Sequence, residues 1–571
     1  LPGDRMKALA VRVVLSLTLA LVASSSTSQQ LTAQQTSPEE YVRLIDRADS
    51  LGRAANFAEA AELYRQIVEL NPYDDRLWLA YARYAAQTDK TREAFALERA
   101  IELGSDQRSR LMVRLAGVYA QLERPDQAFE WLERSLEDRY ESRPNIRNMR
   151  QFEPYRDHPR FRELAGLVDE QTDRDEGWRT DLRWLATEVK RLHAGPDQPA
   201  HSDEYDRAVA SLEARIPELD DEAMALELQR LMAMLGDGHS ALWSVSNERV
   251  QFTSLPIDFY WFSDGMIVTA GDGAAADHVG HQLVSIGGVP LETLVERTEA
   301  FITRDNDMGT KAAAPSLLRR MSVLRAIGAA EGIAGAEVEL RGPDGTTHTL
   351  RLSAAGPRGT WRPGPVEGGE DTTPIWLRGD SSLWMEEIAP QAMYVQYAAV
   401  RNPEGSTIEA FADSLYRVLE SRDTRYVIFD VRKNGGGNNF LNWPLVRTLI
   451  RFEVDRPDRR IFVIAGRHTF SAAQNFSNWV NRLTDAIFVG EPTGSAANFT
   501  GETTPILLPF SGLRASVSSR YWQDSHATDT RSWIAPGIPI ELDSDSYFSD
   551  RDPALEYILR RLERARIASD D

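Results

Sequence analysis

Three short segments carry residue types that together could transfer an acyl group: GDGHS at 236–240, VIFDVRKNGGGNN at 427–439 and IFVIAGRHTFSAAQNF at 461–476. His239 supplies an imidazole whose ordinary pKa suits general-base work near neutrality. Gly236 and Gly238 flank Asp237, so the chain turns sharply and His239 sits on a loop leaving a helix. A loop histidine can equally be a solvated surface group. Gly435–Gly437 leave the backbone bare, so amide N–H groups there can approach a developing oxyanion, with the Ala472 N–H, just after the serine, available as second donor. The same glycines also suit a tight strand-to-helix turn or a phosphate cradle, although no GK[ST] follows and the spacing is not a dinucleotide fingerprint. Ser471 has two readings as well. Ser471-Ala472-Ala473-Gln474 is a capping box, and a serine at a helix start is also a nucleophile favoured by the positive end of the dipole. The G-x-S-x-G elbow of α/β-hydrolases is absent.

The elements that position these groups follow from the apolar pattern. YVIFDV at 426–431, IFVIAG at 461–466 and AIFVG at 486–490 are short runs rich in Val and Ile, separated by helical segments at 440–451 and 471–483. This β-α-β-α-β order predicts a mainly parallel sheet covered on both faces. Ligand sites of such sheets lie beyond the carboxyl ends of the strands, where both the NGGG loop and Ser471 fall.

Upstream, 160–195 reads as a charged helical stretch and 203–235 as paired amphipathic helices. Residues 252–354 read as mainly strand, with helical inserts near 291–303 and 316–328. Within them, GHQLVSIGGVPLETLV followed by AEVELRGPDGTTHTLRL resembles a PDZ-type domain. IDFYWFSDG stands where such a domain would carry its carboxylate-binding loop, so capture of a substrate C-terminus does not follow. The Gly/Pro-rich stretch at 355–372 reads as linker.

Nearer the N-terminus, EAAELYRQIVEL, EAFALERAIEL and QAFEWLERSLE align with Ala60, Ala94 and Ala128 in register, at intervals of 34 residues. That period is the tetratricopeptide (TPR) one; such an array either presents a concave surface to a protein partner or acts as a helical spacer. Met6 and Lys7, the apolar run Val13–Ala23 and the small polar stretch at 24–30 read as a secretory signal peptide, which predicts a periplasmic or secreted protein. No later stretch approaches the roughly 20 apolar residues of a membrane helix, so no stable membrane insertion of the mature chain is expected.

Composition narrows the chemistry. A net charge of −21 repels phosphate backbones, so nucleic acid is not an expected partner. The absence of cysteine removes thiolate ligands and cysteine nucleophiles. Nine histidines include one i, i+3 pair, His278 and His281, and no HExxH, so neither metal nor cofactor is expected.

The ordered set DGHS, VIFDVRKNGGG, GRHTFSAAQNF and VGEPTGS at 489–495 resembles the S41 peptidases, the C-terminal processing and tricorn-core group, over roughly 175–565. The resemblance implies a multidomain chain with a crotonase-like or ClpP-like α/β core and metal-free serine peptidase activity on a polypeptide or peptide. It makes Ser471 the nucleophile and places Gly436 and Ala472 in the oxyanion hole. The implied division is a signal peptide at 1–30, TPR-like helical repeats at 38–170, and a helical N-terminal part of the peptidase at 175–250. A PDZ-like β domain at 251–356, a linker at 357–380 and the catalytic core at 381–565 follow. The processing branch uses a lysine downstream of the serine. None of this chain's five lysines follows Ser471, and Glu491 stands at the corresponding position, which favours His239 as base in the manner of the tricorn-like branch. Candidates for the third member are Asp529, with Arg531 to orient it, and then Asp524 and Glu491. The alternative is a catalytically inactive adaptor that binds peptides or protein partners through its repeats and PDZ-like domain.

Overall fold

The computed structural model describes residues 36–140, 143–169, 171–243, 246–356, 373–378 and 381–570. The leader segment at 1–30 and most of the linker at 357–380 lie outside these residues. The chain divides into two compact units, one running to Tyr140 and taking in Met149–Leu164, the other taking in residues 143–148 and the chain from Ala165 onward.

The first unit is helical: Pro38–Arg53, Phe57–Leu70, Asp75–Ala85, Lys90–Glu102, Arg108–Gln121 and Pro125–Glu137. Ser37, Asp74 and Asp89 cap three of these helices by accepting backbone N–H groups that the first turn leaves unpaired. The alanines spaced 34 apart are all buried, which lets successive helices approach closely.

The second unit opens with helices Arg174–Leu192, Asp203–Arg215 and Asp221–Ala233 and the short strand β1 (Ala241–Trp243). An antiparallel sheet follows, built of β2 (Ile257–Phe262), β3 (Gly265–Gly271), β4 (Gln282–Ile286), β5 (Val289–Pro290), β6 (Gly335–Arg341) and β7 (Thr347–Ser353). Its order is β2-β3-β4-β6-β7, with β5 paired to β4. Between β5 and β6 run helices Leu291–Thr298, Asp307–Leu317 and Met321–Ala326.

The central sheet comprises β8 (Leu383–Ala389), β9 (Ala392–Tyr397), β10 (Tyr426–Asp430), β11 (Arg460–Ala465) and β12 (Ile487–Gly490). The hairpin β13 (Phe499–Leu507) and β14 (Arg514–Trp522) comes next, and β15 (Ile538–Pro539) then closes the central sheet in the order β15-β12-β11-β10-β9-β8. Pairing is parallel from β9 to β15 and antiparallel between β8 and β9.

Both faces of this sheet are covered, which is why its strands read as unbroken apolar runs. Val427, Phe429 and Val463 pack with Leu449, Phe452 and Phe476 on one side. Ile428, Ile464 and Val489 pack with Leu555 and Ile558 of the C-terminal helix on the other. β1 pairs antiparallel with β14, so the strand that directly follows His239 and Ser240 joins the β13–β14 hairpin as a third strand. No helix among the described residues is long and apolar enough to cross a membrane.

Candidate active site

The turn that carries Ser471 is held by Asn434, which is fully buried in the loop after β10. Its Nδ2 donates to Tyr397 O (2.9 Å), its Oδ1 accepts Gly436 N–H (2.9 Å), and its carbonyl accepts Phe470 N–H (3.0 Å). One side chain and its backbone thus tie the end of β9, the glycine loop and the residue before Ser471 to one another. Asn434→Ala leaves the Tyr397 carbonyl and the Gly436 N–H without partners. It is expected to lower stability by about 2–4 kcal/mol, read as a lower midpoint in urea, because each buried group left unpaired costs about 1–3 kcal/mol.

Ser471 heads helix Ala472–Leu483 at φ 57°, ψ −125°, a backbone region that a side chain makes costly. Its side chain makes no capping hydrogen bond. Gln474, the other half of the expected capping box, instead donates to Asn478. Capping therefore does not explain Ser471, and the strained backbone directs attention to its hydroxyl. Its N–H donates to Ser495 Oγ (3.1 Å), which fixes the turn from the other side.

The glycine loop meets this turn at van der Waals limits. A Cβ on Gly436, whose φ is +103°, would lie 2.6 Å from Ser471 Cβ and 2.9 Å from Ala472 N. The structure corrects one expectation here. Gly436 N–H is occupied by Asn434, so it is not a free oxyanion donor. Gly437, one residue on, lines the cavity together with Ser471 and Ala472. No hydrogen bond from Gly437 N–H or Ala472 N–H is found among the described residues, and these two amides are the donors the geometry leaves open.

His239 lines the same cavity, on the opposite limb of the second unit's sequence. Its ring stacks on Phe470 (centroids 4.4 Å apart) and lies nearly parallel to Phe499 (5.4 Å, 4°). Its backbone is fixed by Asp237, whose Oδ1 accepts His239 N–H (2.9 Å), Ser240 N–H (2.7 Å) and the Ser518 hydroxyl (2.6 Å). His193 Nδ1 accepts from Gly195 N–H, which leaves Nε2–H to donate to Asp237 Oδ2 (3.1 Å). Burial acts to raise the Asp237 carboxyl, but its bonds from His193, Ser518 and Ser240 outweigh this and hold it below the usual range.

The reading of His239 as a solvated loop residue does not hold. Both ring nitrogens are buried and without a hydrogen-bond partner, Ser471 Oγ included. The Thr500 backbone faces the ring without meeting hydrogen-bond geometry. Burial pulls the imidazole down to about 4, against the opposing pull of Asp237 and Thr500. The ring is therefore neutral, and able to accept a proton, at every pH above about 4. The acid limb of kcat/KM is accordingly expected near pH 4, rather than near the ordinary histidine value of about 6.5. The unfolded ring binds its proton near that ordinary value, so stability falls as pH drops through this interval; a pH series of thermal melts checks the sign.

None of the three expected carboxylates reaches the imidazole. Asp529 accepts from Arg531 Nη2 (2.8 Å) and Ser525 Oγ (2.5 Å), and Arg531 holds its carboxyl well below the usual range. Arg531 does orient it, but Asp529 is not among the residues that line the cavity with Ser471. Glu491 lines a separate cavity and is paired with Arg467 and Lys311. Burial acts to raise it, yet the Arg467 charge and hydrogen bonds bring it to about 2. Asp524 comes closer: it accepts from Asn475 and Asn439, two residues of the cavity wall, and burial raises its carboxyl against those bonds. Sequence reasoning missed Asn434, Gly437, Ser495 and the two aromatic rings around His239, because each acts only through a neighbour distant in the chain.

The His278–His281 pair gains His348, the three ring centroids lying 4.9–5.2 Å apart. Among the described residues no group of three or more His, Asp or Glu is arranged to hold a metal ion.

No protein-family model and no curated protein matches this sequence. Solved structures it is similar to include a putative S41 protease from Bacteroides fragilis NCTC 9343, which overlaps 67% of this chain and 97% of its own at 13% identity and a TM-score of 0.30. Mature CPAF complexed with lactacystin overlaps 70% of this chain and 99% of its own at 13% identity and a TM-score of 0.49. The photosystem II D1 C-terminal processing protease covers 66% of this chain and 98% of its own at 14% identity and 0.32. The tricorn protease covers 69% of this chain and 37% of its own at 13% identity and 0.35.

Proposed function

We propose that the protein is a serine peptidase that hydrolyses peptide bonds through an acyl-enzyme on Ser471. The observation that carries this reading is a single cavity lined by a strained, uncapped serine, a buried neutral imidazole and two unpaired backbone N–H groups. His239 takes the Ser471 hydroxyl proton as Oγ bonds to the peptide carbonyl carbon. The oxyanion is held by Ala472 N–H and Gly437 N–H. The C–N bond then breaks, His239 returns the proton to the leaving amine, and water hydrolyses the ester by the same steps in reverse roles.

On this reading Ser471 Oγ and His239 come within hydrogen-bond reach in the reacting complex, since neither ring nitrogen has a protein partner here. The 34-residue repeats would recruit a protein partner, and the insertion built of β2–β7 would serve as the PDZ-like module. The apolar run at 13–23 would direct the chain out of the cytoplasm. A fluorophosphonate probe tests the reading directly: peptide mapping should find it on Ser471, and an unstructured polypeptide should be cleaved by the wild type. An unlabelled, folded protein would point instead to an inactive adaptor.

A further inference from the structure

We propose that Asp305 is a positioning residue for this pair, a carboxyl delivered by the β-sheet insertion that locks the base loop against the nucleophile turn. This rests on the acyl-transfer reading of the site. Asp305 lies between Phe301 and helix Asp307–Leu317, in a segment anchored to the core by its neighbour. Asn306 Nδ2 donates to Thr493 O (3.1 Å) and Ser532 O (2.6 Å), while its Oδ1 accepts Met308 N–H at the helix start.

Asp305 Oδ1 accepts the N–H of Gly238, the residue before His239, at 2.6 Å. At that point the base loop has no room to shift. A Cβ on Gly238 would lie 2.8 Å from two ring carbons of Phe470 and 3.2 Å from Asp305 Oδ1, and the Phe470 ring is the surface on which His239 stacks. Asp305 Oδ2 is buried with no hydrogen-bond partner; Ser495 and the Ala496 backbone face it without meeting hydrogen-bond geometry. Ser495 Oγ accepts the Ser471 N–H with a lone pair, so its own proton is available to Asp305. One carboxyl therefore holds the base loop directly and faces, without bonding to it, the hydroxyl that holds the Ser471 turn.

The charge of Asp305 changes in a useful range. Burial pushes its carboxyl up to about 7, aided by Asp237, the charged group facing it from the base loop, and opposed by Gly238 N–H, Ser495 and Ala496. Ionised, it accepts more strongly from Gly238 and attracts the Ser495 hydroxyl that faces it, so alignment improves as pH rises through neutrality.

The test follows fluorophosphonate labelling rate and peptide kcat from pH 5 to 9 for the wild type, Ser471→Ala, Asp305→Ala and Asp305→Asn. Asp305→Ala is expected to lower kcat and the labelling rate by roughly 10- to 100-fold with KM within about twofold, the loss typical of a displaced catalytic group. Asp305→Asn, which keeps the Oδ1 acceptor, should rescue most of that loss at pH 8 and abolish the change in rate around pH 7. Asp305→Ala labelling at the wild-type rate, or Asp305→Asn retaining the wild-type change around pH 7, overturns the positioning role alone. A wild type that is not labelled at Ser471 overturns the acyl-transfer reading itself.

Discussion

Ser471→Ala is expected to lower kcat on an unstructured polypeptide by roughly 10⁴-fold or more and to abolish fluorophosphonate labelling, the loss characteristic of removing a nucleophile that acts in concert with its base. Folding should be spared. The hydroxyl makes no capping bond, and alanine at φ 57° is no more strained than serine, so the thermal midpoint should stay within a few degrees. Ser471→Gly sharpens the test. Glycine adopts this backbone without a Cβ penalty, so the variant should be equally inactive yet more stable by about 1 kcal/mol. Residual turnover in both variants, or a large loss of stability in Ser471→Ala, would make Ser471 a structural residue instead.

Gly436→Val is expected to abolish activity and also destabilise the second unit. Its Cβ would overlap Ser471 Cβ, Ala472 N and Phe470 O, all at 3.0 Å or less and two of them backbone atoms, in a conformation with φ +103°. Positive-φ strain alone is of order 1–3 kcal/mol, and relief of the overlap must displace the glycine loop, the nucleophile turn or both. A loss of about 3 kcal/mol or more in denaturant, together with loss of labelling, is the expected result. Gly435→Ala is the internal control. Its Cβ would meet nothing within 4 Å, so its stability should change by less than about 1 kcal/mol. Equal effects at 435 and 436 would show that loop flexibility, rather than contact with Ser471, sets the requirement for glycine.

Local patterns were legible wherever one segment carried its own signal. The Val- and Ile-rich runs at 426–431, 461–466 and 486–490 became the adjacent parallel strands β10, β11 and β12, because a strand buried on both faces must be apolar throughout. The intervening helices begin and end within a few residues of the expected bounds, and Ser471 sits at a helix start as read. The glycine run announced a close backbone approach. Which glycine's amide would be free was not legible, because the answer lies in the Asn434 side chain: it takes up the Gly436 N–H and leaves that of Gly437 unpaired.

The carboxylates show the same division from the other side. Asp529 had its orienting arginine two residues away, a pairing that the sequence displays, and that pairing is what holds it. Asp305 had nothing nearby to mark it, since its partner Gly238 is 67 residues upstream and Ser495 is far downstream. By itself the sequence determined the secondary structure of the core, the identity of the serine and the histidine as candidates, and the turns that carry them, because periodicity and glycine chemistry act over a few neighbouring residues. Tertiary structure alone decided the burial that lowers the His239 pKa, the amides left unpaired and the acids that face the site, because desolvation and hydrogen-bond competition depend on groups that only packing brings together.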